Sequence, residues 1–148
     1  MPQNQLSAPQ LRDFRVLAGT IIPASATHGV PGADDERIFN DILGSLGRDR
    51  DDICRALADL ATLGGAGFAE LAPQRRSEVA ARFRDAGGTA LAALVRVVLL
   101  CYYRDDRVMR SLGQEPRPPF PKGHDVEQGD WSLLDPVRAR PKMYRRVE

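Results

Sequence analysis

Apolar positions recur at helical spacing through the first ninety residues, interrupted by glycine and proline at intervals that suit short connections. Ser7 to Ile22 predicts a first helix. Ser7 and Gln10 have the spacing of a capping box, Leu6 can staple the start, and Pro23 ends it. Leu11, Phe14, Leu17, Ala18, Ile21 and Ile22 share one face. Ala24 to Ala33 is a loop with a turn at Pro31–Gly32. Asp34 to Leu46 predicts a second helix, with Asp34 and Asp35 suited to its positive N-terminal end. Its stripe is Ile38, Phe39, Ile42, Leu43 and Leu46, and Gly47 stops it. A third helix starts at Asp49 or Asp51, turns Ile53, Leu57, Leu60 and Ala61 inward, and ends at Gly64–Gly65. Phe68 and Leu71 anchor the corner that follows. Pro73 to Ala86 predicts a fourth helix, with Val79, Ala80 and Phe83 inward and Arg75, Arg76, Arg82 and Arg84 outward. Gly87–Gly88 breaks it, and Thr89 is placed to cap a fifth.

The fifth helix, Thr89 to Tyr103, carries the most apolar run in the chain. Its β-branched content would also suit a strand, but its length and the absence of partner strands favour helix. A helix apolar nearly all round is expected to be buried on several sides. Leu91 to Leu100 then reads as scaffold, where Leu99→Asp is expected to unfold the chain. Arg96 is either a paired buried charge or marks a solvent-facing edge. Of Tyr102 and Tyr103, one ring packs in the core and the other reaches the surface. Asp105 to Leu112 makes a short sixth helix closed by Gly113.

Periodicity then fails. Residues 114–148 hold six of the eleven prolines, the only tryptophan, Trp131, and also Phe120 and Tyr144. A stiff, proline-rich segment that keeps large aromatics is best explained as extended chain lying on a partner, with folding back on its own helices as the alternative. The expected architecture is all-α: a compact bundle of five to six helices around a central apolar helix, residues 1–113, followed by an extended partner-binding tail, residues 114–148.

Composition changes this picture little. The 148 residues suit one domain, 43% apolar residues can supply a core, and the net charge is +1 with basic residues spread along the chain. That spread argues against nucleic acid or an anionic membrane as the main partner. The longest apolar run, Leu91–Tyr103, has 13 residues and contains Arg96, against about 20 needed to span a bilayer. The opening MPQNQLSAPQLRDF has no secretory or twin-arginine pattern, so a cytoplasmic location is expected, or a periplasmic one if a partner carries the export signal. Cys54 and Cys101 both sit among apolar residues and read as free thiols.

No constellation for chemistry stands out. Gly64–Gly65–Ala66–Gly67 lacks the Gly-Lys-Ser/Thr of a phosphate loop. Asp49, Asp51 and Asp52 lack the other ligands of a calcium loop and suit a helix start. His28 and His124 both fall in irregular segments, and no partner residues converge on either. The expectation is a chain without catalytic, metal-binding or cofactor-binding residues.

Four segments resemble the gluconate 2-dehydrogenase subunit 3 family, the small subunits of FAD-dependent sugar dehydrogenases. They are LRDFRVLAGTIIP (11–23), PGADDERIFNDIL (31–43), GFAELAPQRRSEV (67–79) and CYYRDDRVMRSLG (101–113). The resemblance implies a mostly helical accessory subunit that supports folding and stability of a large flavoprotein. That partner would be of the glucose–methanol–choline oxidoreductase type and would carry FAD and the catalytic histidine. Many members of the family carry a twin-arginine signal, a pattern from which this chain departs. Candidate contacts to the partner are Tyr102, Tyr103, Pro118, Pro119, Phe120, Trp131, Leu134 and Tyr144. Two other readings stay open: a stand-alone helical adaptor with an unrelated partner, and an enzyme that uses His28 or His124.

Overall fold

The structure is a computed structural model that describes residues 6–65 and 67–143. Its described elements are helical, apart from an isolated antiparallel bridge between Ser25 and Val30. The elements are α1 (Ala8–Ile21), α2 (Glu36–Gly44), α3 (Arg50–Gly64), α4 (Pro73–Ala86), α5 (Thr89–Tyr103), α6 (Asp106–Ser111) and α7 (Asp135–Arg138). Two compact units divide between Pro116 and Arg117. This is three residues beyond the boundary expected at Gly113, because the Gln114 amide still donates to the Met109 carbonyl at 2.9 Å.

In the first unit the caps follow sequence closely. Ser7 and Gln10 close both bonds of the capping box on α1. Asp35, rather than Asp34, caps α2, accepting from the amides of Arg37 and Ile38. A 3-10 turn, Gly47–Asp49, leads into α3. Thr89 does not cap α5: Gly88 holds that position without a side-chain bond, and Thr89 is the first helical residue.

Phe14, Leu17 and Ala18 of α1 meet Ile38, Phe39 and Ile42 of α2 in one core. The Phe14 and Phe39 rings contact edge to face at 5.5 Å. Ile53, Ala56, Leu57 and Leu60 form the inner face of α3; Ala61, expected there, is exposed because it lies one position round the helix. Helix α3 packs against α5, α4 and α1, so it shares the central position expected of α5. Helix α5 follows α4 across a 115° bend at Gly87–Gly88 and turns one face onto α3 and α2. No single helix among the described residues is long and apolar enough to cross a membrane.

The corner before α4 is held by polar bonds as well as by Phe68, which is fully buried. Buried Asp13 of α1 accepts from the Ala69 amide at 2.8 Å, which satisfies the carboxylate far along the sequence. Arg76 was expected to face solvent; instead it folds back, and its guanidinium donates to the Ala69 and Leu71 carbonyls at 2.9 and 3.0 Å. These carbonyls have no helical partner, and a planar multi-donor side chain satisfies two at once.

The loop before α2 depends on two close approaches. A Cβ on buried Gly32 would stand 2.9 Å from the Ala24 backbone nitrogen and 3.2 Å from the Ile22 carbonyl oxygen, and would collide with the Asp34 carboxylate. A Cβ on Gly19 of α1 would meet the same Asp34 side chain at 2.7 Å. The carboxylate can swing away from Gly19, whereas the backbone around Gly32 cannot. Gly32→Ala is therefore expected to cost about 1–3 kcal/mol in chemical denaturation, and Gly19→Ala distinctly less.

Candidate partner-binding surface

The outward face of α5 is set by helical geometry. Ala93, Leu94, Val97, Val98, Cys101 and Tyr102 point inward. Ala92, Arg96, Leu99, Leu100 and Tyr103 are then left on the opposite face, spaced three and four apart. Leu100 is 61% exposed and Tyr103 53%. Arg96 marks this solvent edge and is paired, with its guanidinium 2.7 Å from the Asp49 carboxylate at the start of α3. Leu99 is also more than one-third exposed, which corrects the expectation that it is core scaffold. Leu112, just past α6, is exposed as well, and α6 packs on α5.

The tyrosine pair divides as expected. The rings meet edge to face at 5.3 Å, with Tyr102 5% exposed and Tyr103 open. Tyr102, a candidate contact, is core, and its hydroxyl is pushed above its usual pKa by burial. Tyr103 alone of the pair is available to a partner.

Beyond Arg117 the second unit is more ordered than its prolines suggest. The Arg117 guanidinium donates to the Gly123 carbonyl at 2.7 Å across the segment that carries Pro118, Pro119 and Phe120, all three exposed. Asp130 accepts from the Ser132 amide and hydroxyl at 3.0 and 2.6 Å and so caps a 3-10 turn, Trp131–Leu134. That turn runs into α7, with Pro136 in its first turn. Trp131, Leu134 and Val137 fall three residues apart, and all are exposed. This short helical stretch was not expected, yet Asp130 as cap and Pro136 at an N-terminal position were signals for it. Tyr144 lies outside the described residues.

Among the described residues, every exposed large apolar side chain lies between Leu99 and Met143. The residues from Leu6 to Val98 keep theirs buried or half-buried. In the first unit the exposed ones are Leu99, Leu100, Tyr103 and Leu112; the rest belong to the second unit.

Charged groups near α5 are occupied within the chain. Arg104 grips the Asp41 carboxylate with two bonds, 2.6 and 2.5 Å, and also reaches the Ser45 hydroxyl. Arg107 bridges the two caps, 2.7 Å from Asp35 and 2.9 Å from Asp105. Hydrogen bonds from Arg107 hold the Asp35 and Asp105 carboxyls below their usual pKa, and bonds from Arg104 do the same for Asp41. These carboxylates bind protons more weakly in the folded chain than in the unfolded one. Their stabilisation is complete above the unfolded value near 4 and is lost as pH falls through the lower folded values. Asp105 is nearly buried and caps α6. Asparagine keeps the cap and removes the charge that holds Arg107, so Asp105→Asn is expected to cost about 2 kcal/mol at pH 7 and progressively less below pH 4, in denaturant titrations repeated down to pH 3.

Groups that could do chemistry are dispersed. His28 sits in an exposed turn, its amide bonded to the Ser25 hydroxyl, and His124 is exposed in the second unit. Cys54 and Cys101 are free, and burial pushes the Cys101 thiol above its usual pKa. Asp49 and Asp52 are taken up by Arg96 and Arg55. An apolar groove of about 460 Å³ lies between α1, α4 and α5, lined by Leu17, Ile21, Ala80, Phe83, Leu91 and Val95. The Thr20 and Ser77 hydroxyls at its wall donate to carbonyls of their own helices. The groove thus offers apolar contact without a directed nucleophile, acid or base.

No protein-family model matches the chain, and searches of curated proteins and solved structures find no significant match.

Proposed function

We propose that the chain is a non-catalytic accessory subunit that binds a large FAD-dependent oxidoreductase of the glucose–methanol–choline type and stabilises its folded form. The observation that carries a binding role is the confinement of exposed large apolar side chains to residues 99–143. The class of partner is supported by the four family-like segments, which fall at α1 and its proline stop, the cap and body of α2, the Phe68 corner with α4, and the end of α5 with α6.

The physical role follows from linkage. A subunit that binds only the folded flavoprotein stabilises it by mass action, by about 4 kcal/mol at a thousand times the Kd. Apolar burial by Phe120, Trp131, Leu133 and Leu134 at roughly 25 cal/mol per Å² offsets the cost of fixing these side chains against the partner. FAD belongs to the partner, and the sugar-oxidising chemistry with it. Co-production of this chain with the dehydrogenase subunit is expected to raise the yield of soluble, flavin-loaded enzyme. Equal yield and equal thermal half-life with and without the chain would sink the proposal.

A further inference from the structure

We infer that the partner is held at two places: by the tail, and by the outer stripe of α5 formed by Leu99, Leu100 and Tyr103, extended by Leu112. This rests on the accessory-subunit reading and adds a second contact surface to it.

The stripe needs an occupant, and its size decides among them. A few half-exposed side chains amount to roughly a few hundred Å² of apolar surface. Two such stripes face to face fall short of the roughly 1,200 Å² that a stable dimer buries, so a second copy of the chain is a poor occupant. The stripe suffices only as part of a larger interface. The remaining exposed apolar side chains all follow it in sequence, and only residues 113–116 separate Leu112 from the second unit. A protein that holds the tail is therefore tethered to the stripe, and the second contact forms at high effective concentration.

The electrostatics favour an apolar partner surface. Arg96 and Arg104 border the stripe and are already paired with Asp49 and Asp41. Both cations keep a carboxylate partner when the stripe is covered, so the contact they border is apolar.

The test uses the full chain and the flavin-dependent dehydrogenase subunit in a titration at fixed salt. The double variant Leu100→Ser/Tyr103→Ser changes exposed positions and removes one ring contact, Tyr103 on Tyr102, so its melting temperature should fall only slightly and its melt should stay cooperative. Its affinity for the dehydrogenase should fall tenfold or more. Trp131→Ala should weaken binding independently, and the triple variant should lose detectable complex. An unchanged affinity of the double variant, alongside a weakened Trp131→Ala, would overturn the stripe and leave the accessory-subunit reading intact. Wild-type affinity for both variants would overturn the stripe and the tail as contacts, whereas a wild-type chain that forms no complex with the dehydrogenase would remove the accessory-subunit reading itself. A chain that is dimeric alone, and that the double variant turns monomeric, would assign the stripe to a second copy and overturn the inference as well.

Discussion

Trp131→Ala is expected to leave the melting temperature of the helical unit unchanged and to weaken the complex with the flavoprotein about thirtyfold or more. The ring is 61% exposed in the free chain, and its indole nitrogen has only Gln128 at 3.4 Å. It therefore contributes little to the fold of this chain. Aromatic anchors buried at the centre of an interface typically cost 2 kcal/mol or more on truncation, which corresponds to about a thirtyfold change in Kd. The Asp130 cap holds Trp131 on a preformed turn, so less conformational freedom is lost on binding than for a free tail. Asp130→Ala should reproduce a fraction of the effect through loss of that turn. A fall in melting temperature for Trp131→Ala would place the ring in the chain's own core instead.

The second large effect concerns the two faces of α5. Val98 is fully buried, among the side chains directed at α3 and α2. Val98→Asp places a carboxylate without a partner in that core. The cost is several kcal/mol, comparable with the entire stability of a small domain, so a cooperative melt is expected to disappear. Leu100→Asp, two positions along, should change stability by no more than about 0.5 kcal/mol, since the side chain is already in solvent. Leu99→Asp should resemble Leu100→Asp more than Val98→Asp, the reverse of what the unbroken apolar run suggests. Equal loss at Val98 and Leu100 in circular dichroism melts would contradict the division of this helix into an inner and an outer face.

Much of the helical architecture was legible because local signals agreed with one another. The Ser7–Gln10 box, Pro23, Pro73 and Gly87–Gly88 each fix a helix end by backbone chemistry alone, and α4 and α5 have the expected limits. Errors arose where tertiary partners compete with local preference. Arg76 carries a charge and a helical register that suggest solvent, yet the unpaired carbonyls of the Phe68 corner recruit it. Asp34 and Asp35 are equivalent as caps in sequence. The packing of Gly19 and Gly32 against Asp34 leaves Asp35 for the helix. The outer stripe was hidden by uniformity, since a helix apolar on all sides does not reveal which side remains open. Arg96 was the one residue that marked it. The tail's proline content masks the turn at Trp131–Arg138, although Asp130 caps it and Pro136 stands in the first turn of α7.

The proposed role requires that the chain bind a flavoprotein and carry no flavin itself. The most direct measurement is size-exclusion chromatography of the full chain, alone and co-produced with the dehydrogenase subunit, followed at the protein and flavin absorbance bands. A colourless peak is expected for the chain alone, and a stable heteromeric peak, with flavin in proportion to the large subunit, when both are present. A purified chain that carries stoichiometric FAD and oxidises sugar unaided, or the absence of any heteromeric peak, would contradict it.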